Sequence, residues 1–406
     1  MAYRIRPCRS LDELGQAAGA IGHYFGWVPT GEEVERFSQV LPPERMHAAF
    51  AGKDVVGGAG AFPFKMTVPG GPVPCAGVTV VGVLPTHRRR GLLSRMMRAQ
   101  IDDIHERGEP FAALWASEPT IYGRFGYGHA SLTHEIRLPR VWAGLRAGTP
   151  ARTGQVRLVE QDEALKAIPR IYQKVARETP GFLSRSKAWW ELRRLRDDPS
   201  RRPSGAGPLN RALLEIDGRV AGYALYRIVQ SEEDGDWKRN LRVVEAIGVD
   251  PTATLEIWRF LLELDWTDEI QAWFLPTDHP LQHLVARLDR LGLRVGTGLW
   301  VRPVDVGAAL SARSYRSDSR ITFDLRDSFC PWNEGTWTLA DGVAKRSSRR
   351  PDLRLGAQAL GAAYLGGFSF AELSRAGLVG EASRGGLARA DALFVSERAP
   401  WCPEIF

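Results

Sequence analysis

Three arginines and a glycine, Arg88-Arg89-Arg90-Gly91, are the residues in this chain whose types and spacing most directly suggest chemistry. They follow an apolar, β-branched run (Val78, Val80, Val81, Val83) that breaks at Leu84-Pro85. They precede an amphipathic stretch with Leu92, Met96 and Met97 on one side and Arg95 and Arg98 on the other. A buried strand that turns through a basic loop into a helix makes an anion site. The first N–H groups of the helix have no intrahelical partner, and the helix dipole is positive there. A pyrophosphate can rest on those amides. Gly91 lets the main chain approach the ligand because no Cβ intervenes. The planar fork of arginine bonds phosphate oxygens in pairs. The plainer reading is a solvated basic hairpin. Confinement between a buried strand and a core helix favours the anion site.

Two further places carry chemistry. In ASEPTIYGRFGYGHAS, Ala116 to Ser131, Ser117 ends a strand and can cap the helix that follows. Tyr122 and Tyr127 flank Gly-Arg-Phe-Gly. A phenol can protonate a departing thiolate, although tyrosines commonly serve as amphipathic packing residues, and the residues alone do not choose between the two. The chain ends SERAPWCPEIF. Termini are usually polar and frayed, so an apolar, proline-stiffened ending predicts a docked tail. Such a tail either packs on its own domain or brings its α-carboxylate to a site as a base. No G-x-S-x-G offers a competing nucleophile. The four cysteines, Cys8, Cys75, Cys330 and Cys402, form no C-x-x-C pair and do not cluster with histidines. Neither a metal site nor a disulfide framework is expected.

The elements that must position these residues read in order. Tyr3 to Pro7 alternates as an edge strand, and Leu11 to Phe25 and Glu32 to Leu41 have helical periodicity. Arg45 to Ala51 and Val55 to Phe64 form a hairpin about Gly52-Lys53-Asp54. After the basic loop and its helix come a strand at Phe111 to Ala116, a short helix or turn at Glu118 to Phe125, and a long strand from Tyr127 to Leu138. Pro139 to Gly154 reads as a linker. A second unit follows: a strand at Val156 to Glu160, helices at Ala164 to Glu178 and Ser186 to Arg196, and a hairpin turning at Asp217-Gly218. It continues with a strand at Leu241 to Val249, a helix at Thr254 to Asp265 and a strand at Glu269 to Phe274. Val249-Asp250-Pro251-Thr252 lines up with Val83-Leu84-Pro85-Thr86, but Ala253-Thr254-Leu255-Glu256-Ile257 stands in place of the basic loop. Asp250 and Glu256 would repel phosphate, so the second unit reads as a copy that has lost cofactor binding. A third unit has a helix at Val306 to Ala312, strands at Arg320 to Asp327, Gly335 to Leu339 and Val343 to Ser347, and helices at Leu355 to Leu365 and Phe370 to Arg375.

At 406 residues with 44% hydrophobic content, the chain is long enough for several cores. Its net charge is +7, but the basic residues are scattered, as at Arg193-Arg194, Arg201-Arg202 and Lys345 to Arg350. No aromatic-interleaved basic groove is present, so nucleic acid is not an expected partner. MAYRIRPCRS does not read as a signal peptide, and no run reaches the about 18 apolar residues of a membrane span. A cytoplasmic protein without a membrane partner is expected.

VGVLPTHRRRGLLSRMM, ASEPTIYGRFGYG and the C-terminal phenylalanine together closely resemble the Eis (enhanced intracellular survival) family of actinobacterial N-acetyltransferases, members of the GNAT superfamily. The resemblance spans the chain. It implies an α/β (α+β) architecture of tandem GNAT acyltransferase folds followed by a sterol-carrier-protein-like α+β domain. The corresponding domains are a catalytic, acetyl-CoA-binding unit at 1–140, a degenerate GNAT-like unit at 154–302 and a C-terminal domain at 303–406. The resemblance further implies acetylation of amines of aminoglycosides or of lysine side chains, acetyl-CoA as co-substrate, and assembly as a homohexamer; the mechanism it implies needs no metal. By resemblance, Val81, Gly82 and Val83 match the strand segment that bonds pantetheine and the acetyl group. Arg89, Arg90, Gly91, Leu92, Leu93 and Ser94 match the pyrophosphate loop, and Ser117 and Glu118 a further CoA contact. Tyr122 matches the general acid, which leaves Tyr127 to packing, and Phe406 matches the residue whose carboxylate is the general base. The family pattern has an acid directly before the final phenylalanine; here Ile405 stands there and Glu404 one step back. A less acidic acceptor pocket is the expected consequence. Two other activities suit the same architecture: transfer of a longer acyl chain, as in the N-myristoyltransferases, and non-catalytic binding of acyl-CoA or lipid by a sensor.

Overall fold

Alternation, capping and glycine turns generate the elements of the first sheet through β5 in the order expected. The computed structural model describes residues 2–233 and 236–406; Met1, where the expected first domain begins, lies outside the described residues. Strand β1 (Tyr3–Pro7) leads to α1 (Leu11–Gly22), whose N-cap Ser10 accepts from the Glu13 N–H. α2 (Gly31–Ser38) opens with a capping box between Thr30 and Glu33. Three antiparallel strands follow, β2 (Met46–Ala51), β3 (Asp54–Val68) and β4 (Gly71–Val83). Then come α3 (Leu92–Glu106), β5 (Phe111–Leu114), α4 (Pro119–Tyr122) and β6 (Gly128–His129).

The strand expected from Tyr127 to Leu138 is two strands. β6 stays in the first sheet, whereas β7 (Leu132–Pro139) belongs to the second. The place beside β5 is taken by β14 (Trp300–Pro303), so the first sheet runs β1-β2-β3-β4-β5-β14-β6. Between the two short strands the Ala130 N–H donates to the Leu299 carbonyl at 2.9 Å. The break is set by a partner nearly 170 positions away in the chain, which local periodicity cannot register.

By backbone contacts the chain divides into two units, one of Met1–Ser131, Gly298–Pro400 and Ile405–Phe406, the other of Leu132–Thr297 and Trp401–Glu404. The second unit contains β8 (Gln155–Leu158), α5 (Gln161–Ala176), α6 (Lys187–Trp189), β9 (Asn210–Ile216), β10 (Arg219–Glu233) and β11 (Asp236–Gly248). It continues with α7 (Pro251–Glu263), β12 (Glu269–Leu275), α8 (Leu281–Leu284) and β13 (Arg294–Thr297). Its sheet order is β13-β7-β12-β11-β10-β9-β8. Asp217 and Gly218 make the β9–β10 turn with φ of 49° and 70°, the left-handed conformation that two-residue hairpins need. β11 begins at Asp236, before the expected Leu241; apart from exposed Trp237 its first residues are polar and charged and show no alternation.

The remaining elements of the first unit are α9 (Val306–Ser311), β15 (Ile321–Arg326), β16 (Gly335–Ala340), β17 (Val343–Arg346), β18 (Leu353–Gly356), α10 (Ala357–Tyr364), α11 (Phe370–Arg375), β19 (Val379–Glu381) and α12 (Gly386–Phe394). Their sheet runs β17-β16-β15-β18-β19. The sequence reading missed β18, β19 and α12, and it placed Leu355 in a helix although it lies in β18. Both strands are short and each contains a glycine, so no period develops. Buried Phe323, Phe370 and Phe394 pack ring to ring at 5.0–6.1 Å.

A buried ion pair ties β14 to the segment after β15. Arg302 bonds both oxygens of Asp327 at 2.8 and 2.7 Å, and the Asn333 amide donates to Asp327 at 2.8 Å. Removing one partner of such a pair leaves an uncompensated charge. Asp327→Ala is expected to lower folding stability by about 3–5 kcal/mol, read as a fall in the urea midpoint. An unchanged midpoint would show that the pair contributes nothing net.

Candidate active site

β4 and β5 pair in parallel only from Cys75↔Phe111 to Gly77↔Ala113. Beyond Gly77, β4 continues to Val83 without β5 beside it. The strand is bulged at this point. Val80 has φ of 46°, and the register with β3 shifts between Gly58 and Gly60. A bulge bends its strand and sharpens the local twist, which opens the edge. The result is a cleft of about 630 Å³. Val81, Gly82 and Val83 form one wall. A Cβ on Gly82 would lie 2.7 Å from the Ile21 Cβ of α1, so only glycine lets that helix pack here.

His87, Arg88, Arg89, Gly91, Leu92, Leu93 and Ser94 also line the cleft. Gly91, with φ of 74°, is the N-cap of α3 and supplies no side-chain bond to its amides. Arg89 is itself left-handed, with φ of 60°. Arg90 departs from expectation and does not line the cleft. Its Nη1 donates to the Tyr3 hydroxyl at 2.7 Å, and Arg95 donates to the Tyr3 carbonyl at 2.7 Å. Arg88 takes part instead, its guanidinium 5.8 Å from the Tyr24 ring centre. Tyr24 in turn donates to the Val83 carbonyl at 2.7 Å.

The second copy treats the same junction differently. β11 bulges opposite Leu225 and Tyr226, as β4 does opposite Gly58 and Gly60. α7 then starts almost at once, and the Asp250 carboxylate accepts from the Ala253 N–H at 2.8 Å. The chain's own acid occupies the helix end. Glu256 does not act as expected: it is buried, with the Arg259 Nε 3.4 Å away, and does not face a phosphate position.

The cleft is lined further by Glu118, Ile121, Tyr122 and Arg124. Glu118, not Ser117, caps α4. Its carboxylate accepts from the Thr120 hydroxyl at 2.7 Å and the Thr120 N–H at 3.3 Å, and these bonds lower its pKa. Ser117 is exposed and does not line the cleft. Tyr122 is partly buried, and that burial raises its phenol above the ordinary tyrosine value. Tyr127 is fully buried in the core with Met97 and Leu114, its ring edge-on to Tyr122 at 5.9 Å. Only Tyr122 of the two faces the cleft.

Phe406 does not line this cleft. Its ring meets Phe64 at 5.3 Å and Phe62 at 6.3 Å, and its Cε2 lies 3.2 Å from where a Cβ on Gly77 would stand. Phe62 also meets Phe37 of α2 at 5.8 Å. The terminal residue therefore sits on the α2 face of the first sheet, where β4 leaves β5. Ile405 is exposed. Glu404, part of the second unit, is buried 2.6 Å from Arg185. The sequence reading missed Ile21, Tyr24, His87, Ile121 and Arg124. The aromatic run Tyr24-Phe25-Gly26-Trp27 just past α1 was the one local signal. Among the described residues, no group of His, Cys, Asp and Glu side chains is placed to hold a metal ion, and no helix is long and apolar enough to cross a membrane.

Residues 4–130 match the family described as Acetyltransferase (GNAT) domain, residues 181–303 match a second family of that description, and residues 306–403 match Sterol carrier protein domain. An uncharacterized N-acetyltransferase of Streptomyces avermitilis is 41% identical over 388 residues, 94% of each chain. N-acetyltransferase Eis of Mycobacterium tuberculosis is 34% identical over 357 residues, 85% of this chain and 84% of that one. The crystal structure of Eis1 from Mycobacterium abscessus superposes with a TM-score of 0.86 at 32% identity, covering 99% of this chain and all of the other.

The two neighbouring arginines are expected to separate experimentally. Arg89→Ala removes a charge from the cleft and should weaken coenzyme A binding about tenfold or more, the worth of a charge-assisted bond. Arg90→Ala should cost clearly less, because Arg90 bonds Tyr3. Calorimetric titration with coenzyme A distinguishes them, and equal losses would show that Arg90 swings to the ligand.

Proposed function

Because the chain belongs to the Eis family of GNAT N-acetyltransferases, we propose that it moves an acetyl group from acetyl-CoA to a primary amine by direct attack, with Tyr122 as general acid and the Phe406 α-carboxylate as general base. The observation that carries this reading is that Arg88, Arg89, the open N-terminus of α3, Val81 to Val83 and Tyr122 all line one cleft. The arginines and helix amides suit a pyrophosphate. The unpaired edge of β4 suits pantetheine laid alongside as an added strand, and its amides would polarise the thioester carbonyl.

An acceptor amine is mostly ammonium at neutral pH, because its pKa lies near 10. A base must remove a proton before nitrogen can attack. The Phe406 carboxylate is offered from the α2 face of the sheet, directly or through one water. The amine nitrogen then bonds the acetyl carbon, the carbon–sulfur bond breaks, and Tyr122 gives its proton to the leaving thiolate. The raised phenol pKa supports this role, since Tyr122 keeps its proton throughout the neutral range. Arg89, Gly91, Leu92, Leu93, Ser94, Glu118 and the Val81–Val83 segment are proposed to hold the cofactor. Ser117 and Arg90 have weaker support, since neither lines the cleft. The acceptor is an amine of a small molecule or a lysine side chain. With Ile405 before the terminus and Glu404 buried in an ion pair, fewer carboxylates are available to a polycation. Aminoglycosides should bind weakly and with little salt dependence.

Tyr122→Phe keeps the ring and removes the proton. Turnover should fall about 10²-fold or more, the usual size of a general-acid effect, while Tyr127→Phe should do less. The reverse order in steady-state assays would reject the assignment. The pH profile follows with its sign. Rate should climb as the amine loses its proton, and no alkaline decline from loss of the acid should appear below about pH 10, because burial raises the Tyr122 pKa. Adding one glycine after Phe406 turns the carboxylate into an amide and displaces the charge by about 3.3–3.6 Å. Turnover should be lost with coenzyme A binding retained; native turnover of the extended protein would remove Phe406 from the mechanism.

A further inference from the structure

The second GNAT copy has a notch of its own. β11 and β12 pair in parallel from Asn240↔Glu269 to Val243↔Ala272 and then separate, just as β4 and β5 do past Gly77. β12 is strained at this point, with Phe274 at φ of 59°. In the first sheet the corresponding opening is the cofactor cleft. Here Trp401 and Pro403 stand between Val243–Ala246 and Ala272–Leu275, leaving a void of only about 10 Å³. The Trp401 indole N–H donates to the Phe274 carbonyl at 2.5 Å, and its backbone N–H donates to the Pro180 carbonyl at 2.8 Å. Its ring stands edge-on to Phe182 at 5.0 Å. Each of these partners belongs to the second unit.

A buried charge cluster holds the next residues. Arg185 bonds both oxygens of Glu245, at 3.0 and 2.6 Å, and its Nε lies 2.6 Å from the Glu404 carboxylate. Arg194 bonds Glu245 at 2.6 Å and the Pro403 carbonyl at 3.4 Å. The Tyr223 hydroxyl donates to Glu245 at 2.6 Å. Two guanidinium groups and two carboxylates balance in charge; the Arg185, Glu245 and Glu404 side chains are buried and that of Arg194 is 11% exposed. Such clusters are poor sources of net stability compared with apolar packing. What this one adds is a defined position for Glu404.

We propose that the second GNAT copy, whose helix end is closed by Asp250, has become a clamp for the C-terminal tail, in which Trp401 fills the vacated cofactor notch and Arg185 grips Glu404 so that the terminal carboxylate is presented at a fixed place. Glu404, Trp401 and Arg185 are then positioning residues. Glu404 stands two residues before the end, so holding it confines the terminal carboxylate to a reach of roughly 7 Å. The inference rests on the Phe406 carboxylate being the base. It also gives Glu404 a task other than receiving a cationic substrate.

Glu404→Gln keeps the shape and removes the charge that Arg185 grips. Trp401→Phe keeps the ring and removes the indole donor. Each should raise the rate at which carboxypeptidase A releases Phe406 by about tenfold or more. Each should lower kcat several-fold while leaving coenzyme A affinity and the KM for acetyl-CoA within about twofold. Glu404→Asp, which keeps the charge, should recover part of the lost kcat. Release at the native rate in both variants would overturn the clamp, and the second variant stands in should the first not fold. Faster release with native kcat would overturn the positioning role. The glycine-extended protein separates the two ideas. Its turnover tests the carboxylate as base, whereas tail release in Glu404→Gln tests the clamp without reference to chemistry.

Discussion

A strand edge without a partner presents amide and carbonyl groups that need water, a ligand or another chain segment. In both GNAT sheets this condition arises at the same point, where a parallel pair stops after a few residues and a bulge turns one strand away. The pairing cannot continue because the two main chains diverge. Whatever fills the gap therefore lies against backbone rather than side chains and is recognised by geometry. The placement of α3, the arginine loop and Tyr122 in the first copy makes sense only around that opening.

The two copies resolve the same geometric problem in opposite ways. In the first, a loop with left-handed Arg89 and Gly91 holds the end of α3 away from the strand and leaves its amides uncapped. In the second, Asp250 follows the strand closely and caps the helix itself. One carboxylate at that position supplies the negative charge a phosphate would otherwise bring. A notch that has lost its anion end can still take an apolar side chain with a donor, and indole provides both.

Buried charge recurs where distant segments must be held in one arrangement. Arg302 with Asp327, and Arg185 with Glu245 and Glu404, pair residues separated by tens to hundreds of positions. Apolar side chains would supply comparable cohesion with less directional demand. Bidentate guanidinium bonds fix orientation as well as distance, which matters most for short strands and tails that have little surface to bury.

The sequence by itself determined the elements of the first sheet through β5, the basic loop that joins β4 to α3, the Asp217-Gly218 hairpin and the loss of that basic loop in the second copy. All of these depend on local signals: period, capping residues, glycine at left-handed positions and the charge of a few neighbours. Only the tertiary structure decided which side chains share the cleft. Arg90 and Arg88 are two positions apart and look alike in sequence, yet Tyr3 takes one of them. Tyr122 and Tyr127 were told apart by resemblance; in the structure burial separates them, because α4 leaves one on the cleft wall and the core encloses the other. The exchange of β7 and β14 between sheets was equally invisible, since strand pairing is chosen by partners far along the chain. Glu404 shows the same limit. Its neighbours in sequence are apolar, and its charge is accounted for only by an arginine more than 200 residues away that folding brings within 2.6 Å.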